Sequence, residues 1–315
     1  MEKLLPIKSA FSLTWGQKVK KDFIRNKGVY ILFVPVILYY IIFQYVPIYG
    51  LVLAFKDYIP SRGIFGSDWV GFDNFLRFFN SVYFGRLIKN TLTISFYEVL
   101  FGFPAPILFA LMLNEIQNRF FKRTIQTITY LPHFISTMVI CGMILDFSLK
   151  GGLLNDVIAL FGGQRSDLLM RPDMFRIIYI GSGIWQSIGW GSIVYLSALT
   201  AIDSELYEAA YIDGATRFKQ AWHITLPGIM PTIVILLILK IGGLMSVGFE
   251  KIFLLYNPTT YEVADVISTF NYRKGLVDFD YSFSTAVGLF NSVINIALLI
   301  LANKASKKVN EYSLW

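Results

Sequence analysis

Six long apolar stretches constrain the fold of this 315-residue chain more than any other feature. A bilayer core of about 30 Å is crossed by roughly 20 apolar residues in a helix, so each stretch is long enough to span a membrane. The strands of a closed barrel would alternate apolar and polar residues in short runs, and these stretches are continuous. The sequence therefore predicts an all-α membrane protein with six transmembrane helices. They are expected at residues 29–55, 88–113, 124–149, 175–199, 228–247 and 281–302.

The net charge of +7 comes from basic residues that cluster on one side of this six-helix arrangement. They lie in residues 1–27, in the loop around Arg119 and in the tail from Lys304. The positive-inside rule places that side, with both termini, in the cytoplasm, and anionic membrane lipid explains the clusters without nucleic acid. The predicted organisation is a basic N-terminal tail (1–28), one membrane domain (29–303) and a C-terminal tail (304–315). The opposite loops are long and aromatic, which predicts short interfacial helices there.

A polar segment, residues 200–227, separates the fourth and fifth apolar stretches. Ser204 is a suitable N-cap for one short helix, and Gly214 suits the left-handed residue that ends it. Thr216 can cap a second short helix, which Pro227 would stop. Leu206, Ala209, Ala210 and Asp213 share one face of the first helix at spacings of three and four, with Glu208 beside it. The segment is thus predicted to be a helical hairpin at the cytoplasmic surface; a solvated connector is the simpler alternative.

The spacing within this hairpin resembles the signature loop of permease subunits of bacterial binding-protein-dependent ABC importers. The matching positions are Glu208, Ala209, Ala210, Gly214, Ile224, Leu226 and Pro227. Residues 101–106, 130–134 and 253–258 are similar to the carbohydrate branch of that family, in particular to permeases for polysaccharides and complex oligosaccharides.

This resemblance implies a type I importer permease whose hairpin is a coupling helix gripped by a cytoplasmic ATPase subunit. The implied partners are a homologous second permease, two ATPase subunits that bind ATP and magnesium, and an extracellular solute-binding protein that delivers a carbohydrate. The implied location is a bacterial plasma membrane. The chain itself is expected to be neither an enzyme nor a cofactor carrier, because a phosphate-binding loop ending in Gly-Lys-Ser or Gly-Lys-Thr does not occur in it.

Two charged residues within the apolar stretches, Glu98 and Lys240, are the first candidates for the substrate path, since charge at bilayer depth is costly. They could instead form a structural ion pair with each other. A sugar path should combine hydrogen-bonding side chains with aromatic rings. Gln186, Ser187 and Trp190 offer that combination in the fourth stretch. Asn291 and Asn295 offer amides in the sixth, where bridging between helices is an equal alternative.

Backbone features within the stretches carry further predictions. Pro35 and Pro47 predict local bends in the first stretch, and Pro104 with Pro106 predicts a break or kink in the second. Gly181, Gly183, Gly189, Gly191, Gly242 and Gly243 are expected to let helices approach closely.

Two other function classes remain open from the residues alone. An ion-gradient-driven secondary transporter of a polar solute would be expected to show an inverted repeat, which the sequence lacks. A membrane-embedded carbohydrate enzyme could use Glu98 as a general acid or base, but a second well-placed carboxylate is missing from the stretches. His133 and His223 are far apart in sequence and predict no metal site.

Overall fold

The computed structural model describes residues 14–310 and 313–314. The chain divides into two compact units, Met1–Val52 and Leu53–Trp315, and each is described on its own.

The first unit, in its described part, is helical and exposes its apolar side chains. The amphipathic helix α1 (Trp15–Arg25) precedes α2 (Lys27–Tyr40). The helical path continues through the turn Ile41–Tyr45 and α3 (Val46–Ile48), so that a candidate membrane span runs from Lys27 to Phe55. No residue of α2 is buried. A helix that is apolar all round and buries nothing within its own unit is suited to lipid or to another protein.

The second unit consists of helices and one small β-ribbon. Its strands β1 (Lys56–Asp57) and β2 (Asp68–Trp69) pair antiparallel, with Lys56 opposite Trp69. This ribbon, in the first predicted outer loop, was not expected from the sequence. The helices are α4 (Gly63–Gly66), α5 (Asp73–Phe79), α6 (Phe84–Tyr97), α7 (Pro104–Asn114), α8 (Arg119–Tyr130), α9 (Thr137–Ser148), α10 (Leu153–Leu160), α11 (Pro172–Leu199), α12 (Ser204–Ile212), α13 (Arg217–Gln220), α14 (Leu226–Gly228), α15 (Met230–Gly242), α16 (Phe249–Leu255), α17 (Tyr261–Ala264), α18 (Ile267–Tyr272) and α19 (Tyr281–Asn310).

An all-α membrane protein is confirmed, with three to five candidate spans in the described part of the chain. Single helices at Lys27–Phe55, Phe84–Asn114 and Tyr281–Lys308 are long and apolar enough, and two bent helix pairs add up to two more. The 28-residue helix α11, which carries the predicted fourth span, is long enough but less apolar, because glycine, serine and glutamine interrupt it. Length and composition therefore identify at most five candidate spans among the described residues, one fewer than the predicted six. The prediction of six spans requires that α11 also crosses the membrane.

The predicted third span is bent rather than straight, and a second bend lies at the start of the predicted fifth span. The segment Arg119–Phe134 meets Thr137–Ser148 at 99°. Pro132 lacks a backbone N–H, and the Ser136 hydroxyl accepts a hydrogen bond from the Val139 N–H (3.4 Å) to start α9 afresh. The chain bends by 60° between Arg217–Gly228 and Met230–Gly242, so the bend separates the polar segment from the predicted fifth span, and the helix Met230–Gly242 ends at Gly242 rather than at residue 247.

Three prolines lie two residues after a π-helical turn. These turns, Ile41–Tyr45, Glu98–Gly102 and Ala221–Thr225, precede Pro47, Pro104 and Pro227. A wider turn gives the proline ring room beside the preceding carbonyl groups and tolerates the missing donor. Phe84–Asn114 consequently remains one membrane-length helix, and the break predicted at Pro104 is a widened turn. Pro35 lies inside α2, which continues past it.

Close helix packing is confirmed at some of the predicted glycines. A Cβ atom at Gly189 would collide with the backbone of Thr129 on α8, and one at Gly242 would lie 2.6 Å from Leu299 Cδ1 on α19. A Cβ at Gly181, by contrast, would meet nothing within 4 Å. The glycine at 189 therefore permits a helix crossing that no larger residue would allow without movement.

Short helices fill the predicted outer loops, as expected, and α17 and α18 are held to the bundle by buried polar contacts. The fully buried Asp265 accepts a hydrogen bond from Arg273 Nη2 (2.6 Å), and its Oδ2 lies 3.7 Å from Arg86 Nη2 on α6. Burial lowers the pKa of the Arg273 guanidinium, but the hydrogen bond and the charge of Asp265 outweigh it, so that this pKa is raised. Asn90 adds a hydrogen bond to the Asp265 carbonyl (3.0 Å). Both charges of this pair are thus satisfied, as a buried ion pair requires.

Candidate coupling hairpin and central cavity

The predicted hairpin forms, and local sequence accounts for its shape. The N-cap of α12 is Asp203, whose side chain accepts a hydrogen bond from the Glu205 N–H (3.0 Å), rather than the expected Ser204. Asp and Ser cap equally well, so the two adjacent candidates could not be separated by sequence. Gly214 has φ +73° and the Ala215 N–H donates to the Ala210 carbonyl (2.9 Å). This is the Schellman geometry that the glycine was expected to allow.

The second half of the hairpin begins at the predicted cap. Thr216 accepts a hydrogen bond from the Lys219 N–H (3.4 Å) and starts α13. The helical path continues through the turn Ala221–Thr225 and α14 to Gly228, one residue past the proline that was expected to stop it. Tyr207 Oη and Thr225 Oγ1, 3.0 Å apart, connect the two halves. The hairpin is therefore fixed by its own side chains.

The signature residues lie on or near the exposed surface of the hairpin. Glu208, Ala209, Asp213, Gly214 and Pro227 are exposed, while Ala210, Ile224 and Leu226 are half-buried. Within the described ranges, no side chain pairs with the Glu208 carboxylate.

Large apolar side chains are exposed beside these residues: Tyr211 is 77% exposed, Ile212 84% and Phe218 77%. A concentration of such side chains on a polar hairpin is typical of a protein interaction surface.

One contact of the hairpin was missed by sequence reasoning. Arg217 Nη1 donates to Glu115 Oε2 at 3.2 Å and so ties α13 to the end of α7. Glu115 is 102 residues away in sequence, and no local pattern indicates the pair.

A cavity of about 650 Å³ lies among α7, α11, α15, α16 and the turn that carries Glu98. Glu98 Oε2 and Lys240 Nζ meet in it at 2.6 Å, although the two residues are 142 positions apart. Their side chains are 25% and 43% exposed respectively, so the pair lines the cavity instead of being buried. The alternative of an ion pair is therefore observed, and both residues also line the cavity; their contact with a substrate stays a prediction.

Gln186 and Ser187 also line this cavity, on the same helix as Gly183 and Gly191. The Ser187 hydroxyl donates to the Gly183 carbonyl (2.7 Å), a bond within its own helix. Trp190 lies outside the cavity lining: its ring stacks on His133 with centroids 4.6 Å apart. That stacking holds α11 against the bend that follows α8.

The two asparagines on α19 lie away from the cavity lining. Asn295 accepts a hydrogen bond from the Met245 N–H (3.0 Å) and donates to Ser246 Oγ (2.9 Å). It thus bridges α19 to the segment after α15, which is the helix-bridging alternative. The buried Asn291 Oδ1 has no hydrogen-bond partner in the described part of the chain.

Lys251 and Tyr179 are cavity residues that sequence reasoning did not single out. Lys251 Nζ donates to the Tyr179 carbonyl (3.1 Å) and lies 5.1 Å from the centroid of the Tyr179 ring. Lys251 follows the predicted fifth span and is brought into the cavity by the packing of α16 on the bundle. No motif in the sequence marks that placement.

In the part of the chain that the structure describes, no group of three or more His, Cys, Asp and Glu side chains is placed to hold a metal ion. His133 stacks on Trp190, and His223 Nδ1 lies 3.0 Å from the Lys219 carbonyl.

A helical membrane bundle with a charged central cavity and a helical hairpin on its surface defines a transport permease. Residues 102–311 match the family described as the binding-protein-dependent transport system inner membrane component. The chain belongs to this family: it is a multi-pass inner membrane permease of an ABC importer and a non-catalytic component of the transport system.

Particular relatives are similar over nearly the full length. The polygalacturonan/rhamnogalacturonan transport system permease protein YteP of Bacillus subtilis is 44% identical over 93% of this chain and 91% of the relative. The crystal structure of a bacterial ABC transporter that imports the acidic polysaccharide alginate contains a chain that is 45% identical, with a TM-score of 0.86 over 93% of this chain and 99% of that one. The alginate transporter in complex with a periplasmic protein that holds an alginate pentasaccharide matches with 45% identity and a TM-score of 0.87, over 94% and 100% of the two chains.

Proposed function

We propose that this chain is one of two permease subunits of an importer that moves acidic oligosaccharides or polysaccharide fragments into a bacterial cytoplasm. Its similarity to permeases named for polygalacturonan and for alginate supports a carbohydrate made of uronic acid units. In this proposal the chain has six spans with both termini in the cytoplasm, and α11 is the fourth of them. Glycine, serine and glutamine lower the apolarity of α11 because it lines the path rather than facing lipid.

The proposed coupling mechanism rests on one observation: Glu208 and Ala209 are exposed on the hairpin, and in the described part of the chain no side chain pairs with the Glu208 carboxylate. We propose that a cytoplasmic ATPase subunit receives this surface in a groove. A second ATPase subunit would receive the hairpin of a homologous permease. When ATP and magnesium bind between the two ATPase subunits, the hairpins move together and turn the cavity towards the outside, where a solute-binding protein delivers the sugar.

Motion can pass from the hairpin to the cavity through direct contacts. The hairpin continues through α14 into α15, which carries Lys240, and Arg217 holds the end of α7. A movement of the hairpin therefore acts on two walls of the cavity.

The coupling proposal is tested with Glu208→Gln and the matched control Glu205→Gln, which alters another exposed glutamate of α12. The complete transporter, with both permeases and both ATPase subunits, is reconstituted in proteoliposomes with its binding protein. We expect Glu208→Gln to reduce ATP-driven uptake of trigalacturonate and retention of the ATPase on purification at least about tenfold, since hot-spot losses exceed ~1.4 kcal/mol. Glu205→Gln should change neither.

Normal ATPase retention and uptake in Glu208→Gln would contradict the coupling role. Uptake by the wild-type transporter that follows an ion gradient and needs no ATP would instead support the alternative of a secondary transporter.

A further inference from the structure

The formal charges of the three charged side chains that line the central cavity, Glu98, Lys240 and Lys251, do not sum to zero. Glu98 and Lys240 neutralise each other at 2.6 Å, which leaves Lys251. Among the residues that the structure describes, no carboxylate lies within ion-pair distance of Lys251. The cavity therefore carries one uncompensated positive charge.

An uncompensated ammonium group that is partly removed from water in a cavity is unfavourable unless a ligand accepts its hydrogen bonds. Lys251 receives partial compensation from the Tyr179 carbonyl (3.1 Å) and from the face of the Tyr179 ring (5.1 Å). An ammonium group has three donors, and the Tyr179 carbonyl accepts from one of them. The other two donors are free of protein acceptors in the described structure.

The surroundings of Lys251 leave space for a ligand. A Cβ atom at Gly183 would lie 3.4 Å from Lys251 Nζ, so the lysine lies against a helix position that has no side chain. Gly183, Ser187 and Gly191 follow at intervals of four and all line the cavity. Because Gly183 has no side chain and Ser187 is small, this face of α11 leaves the cavity open beside Lys251, and Gln186 lines the same cavity.

We propose that Lys251 binds the carboxylate of an acidic sugar unit inside this cavity. This inference rests on the proposed import of carbohydrate and assigns the acidic group of that substrate to one side chain. The Tyr179 ring, which is electron-rich on its face, orients the ammonium group towards the cavity. Gln186 is placed to meet hydroxyl groups of the same or the next sugar unit.

The Glu98–Lys240 pair limits the strength of this anion site. If Glu98 were absent, two free lysines would hold an oligouronate tightly, whereas transport needs a site from which the ligand also leaves. Because Glu98 neutralises Lys240, Lys251 alone attracts the substrate, and Glu98 thereby limits the strength of binding.

The test uses the complete transporter in lipid nanodiscs, without binding protein, and measures binding of trigalacturonate and of its fully methyl-esterified, uncharged form by calorimetry. We expect Lys251→Met to weaken trigalacturonate binding at least about tenfold, the range of a lost charge-assisted hydrogen bond, and Lys251→Arg to retain most of it. The matched control Lys150→Met, which removes an exposed lysine on another loop, should bind as the wild type does. The methyl ester should bind weakly and equally to all four forms.

A second measurement needs no variant. Wild-type affinity for trigalacturonate should fall as sodium chloride rises, because salt screens the attraction, while affinity for the methyl ester should not. Equal trigalacturonate binding by wild type and Lys251→Met, or an equal loss for both sugars, would overturn the role of Lys251. If the wild-type transporter shows uptake and ATPase stimulation with trigalacturonate, the proposed function stands even when this inference fails; absence of both would overturn the proposed function itself.

Discussion

The coupling hairpin and the central cavity are built in opposite ways. The hairpin takes its shape from neighbours in sequence: Asp203, Gly214 and Thr216 set its ends, and Tyr207 contacts Thr225 within the same segment. The cavity joins side chains that are far apart in sequence, such as Glu98 and Lys240 at 142 positions and Lys251 and Tyr179 at 72. The shape of the hairpin is thus specified locally, while the cavity depends on the packing of the whole bundle.

The largest expected effect comes from a substitution at Gly214, which should impair the hairpin and leave the cavity unchanged. Gly214→Val should reduce ATP-driven uptake more than about tenfold, because a β-branched residue at φ +73° is strained by ~1–3 kcal/mol and the turn would reopen. Binding of trigalacturonate to the cavity should be unchanged. Gly214→Asn is the control, since asparagine tolerates the left-handed conformation. The measurements are uptake in proteoliposomes and calorimetric binding in nanodiscs; full uptake by the valine variant would show that the turn is not required.

A smaller effect is expected from the helix crossing that holds the bundle together. Gly189→Ala should lower stability by about 1–3 kcal/mol, because the added methyl group overlaps the backbone of Thr129. Gly181→Ala on the same helix meets nothing within 4 Å and should be neutral or slightly stabilising. The stability of both variants is measured by heating the purified complex and monitoring the loss of its monodisperse peak. Identical melting of the two variants would refute the close approach.

The smallest effect tests the ion pair in the cavity. Glu98→Gln and Lys240→Met should each cost about 1 kcal/mol of stability, because each leaves one partly exposed charge unpaired. The double variant should recover more than half of the summed loss. A double-mutant cycle of unfolding free energies gives the coupling directly; a coupling energy of zero would mean that the pair does not act as a pair.

The hairpin could be predicted almost completely from sequence because capping residues and a left-handed glycine act over a few positions. The error at its start, Ser204 for Asp203, reflects two adjacent residues with equal capping ability. The pairing of Glu98 with Lys240 was foreseen as an alternative because opposite charges at similar depth have few other partners. The coupling roles assigned to the signature residues remain predictions.

Other features could not be predicted, because they depend on contacts between distant segments. Lys251 reaches the cavity only after α16 packs on the bundle, and Glu115 meets Arg217 only when α7 ends beside the hairpin. Trp190 was expected on the path, but it lies outside the cavity lining and its ring stacks on that of His133. The 99° bend after α8 was also missed, since a proline within an apolar stretch does not reveal whether it widens, kinks or ends the helix.

The π-helical turn Ala221–Thr225 has a consequence for the orientation of the hairpin. A π turn holds one residue more than the α-helical turn it replaces, and each residue of a helix rotates its direction by about 100°. The side of α13 that faces away from the bundle is therefore determined partly by chain length at this turn, which lies between α13 and α14, independently of side-chain identity. Deletion of a single residue there would rotate α13, with the exposed Phe218 that it carries, relative to α14 by about 100°.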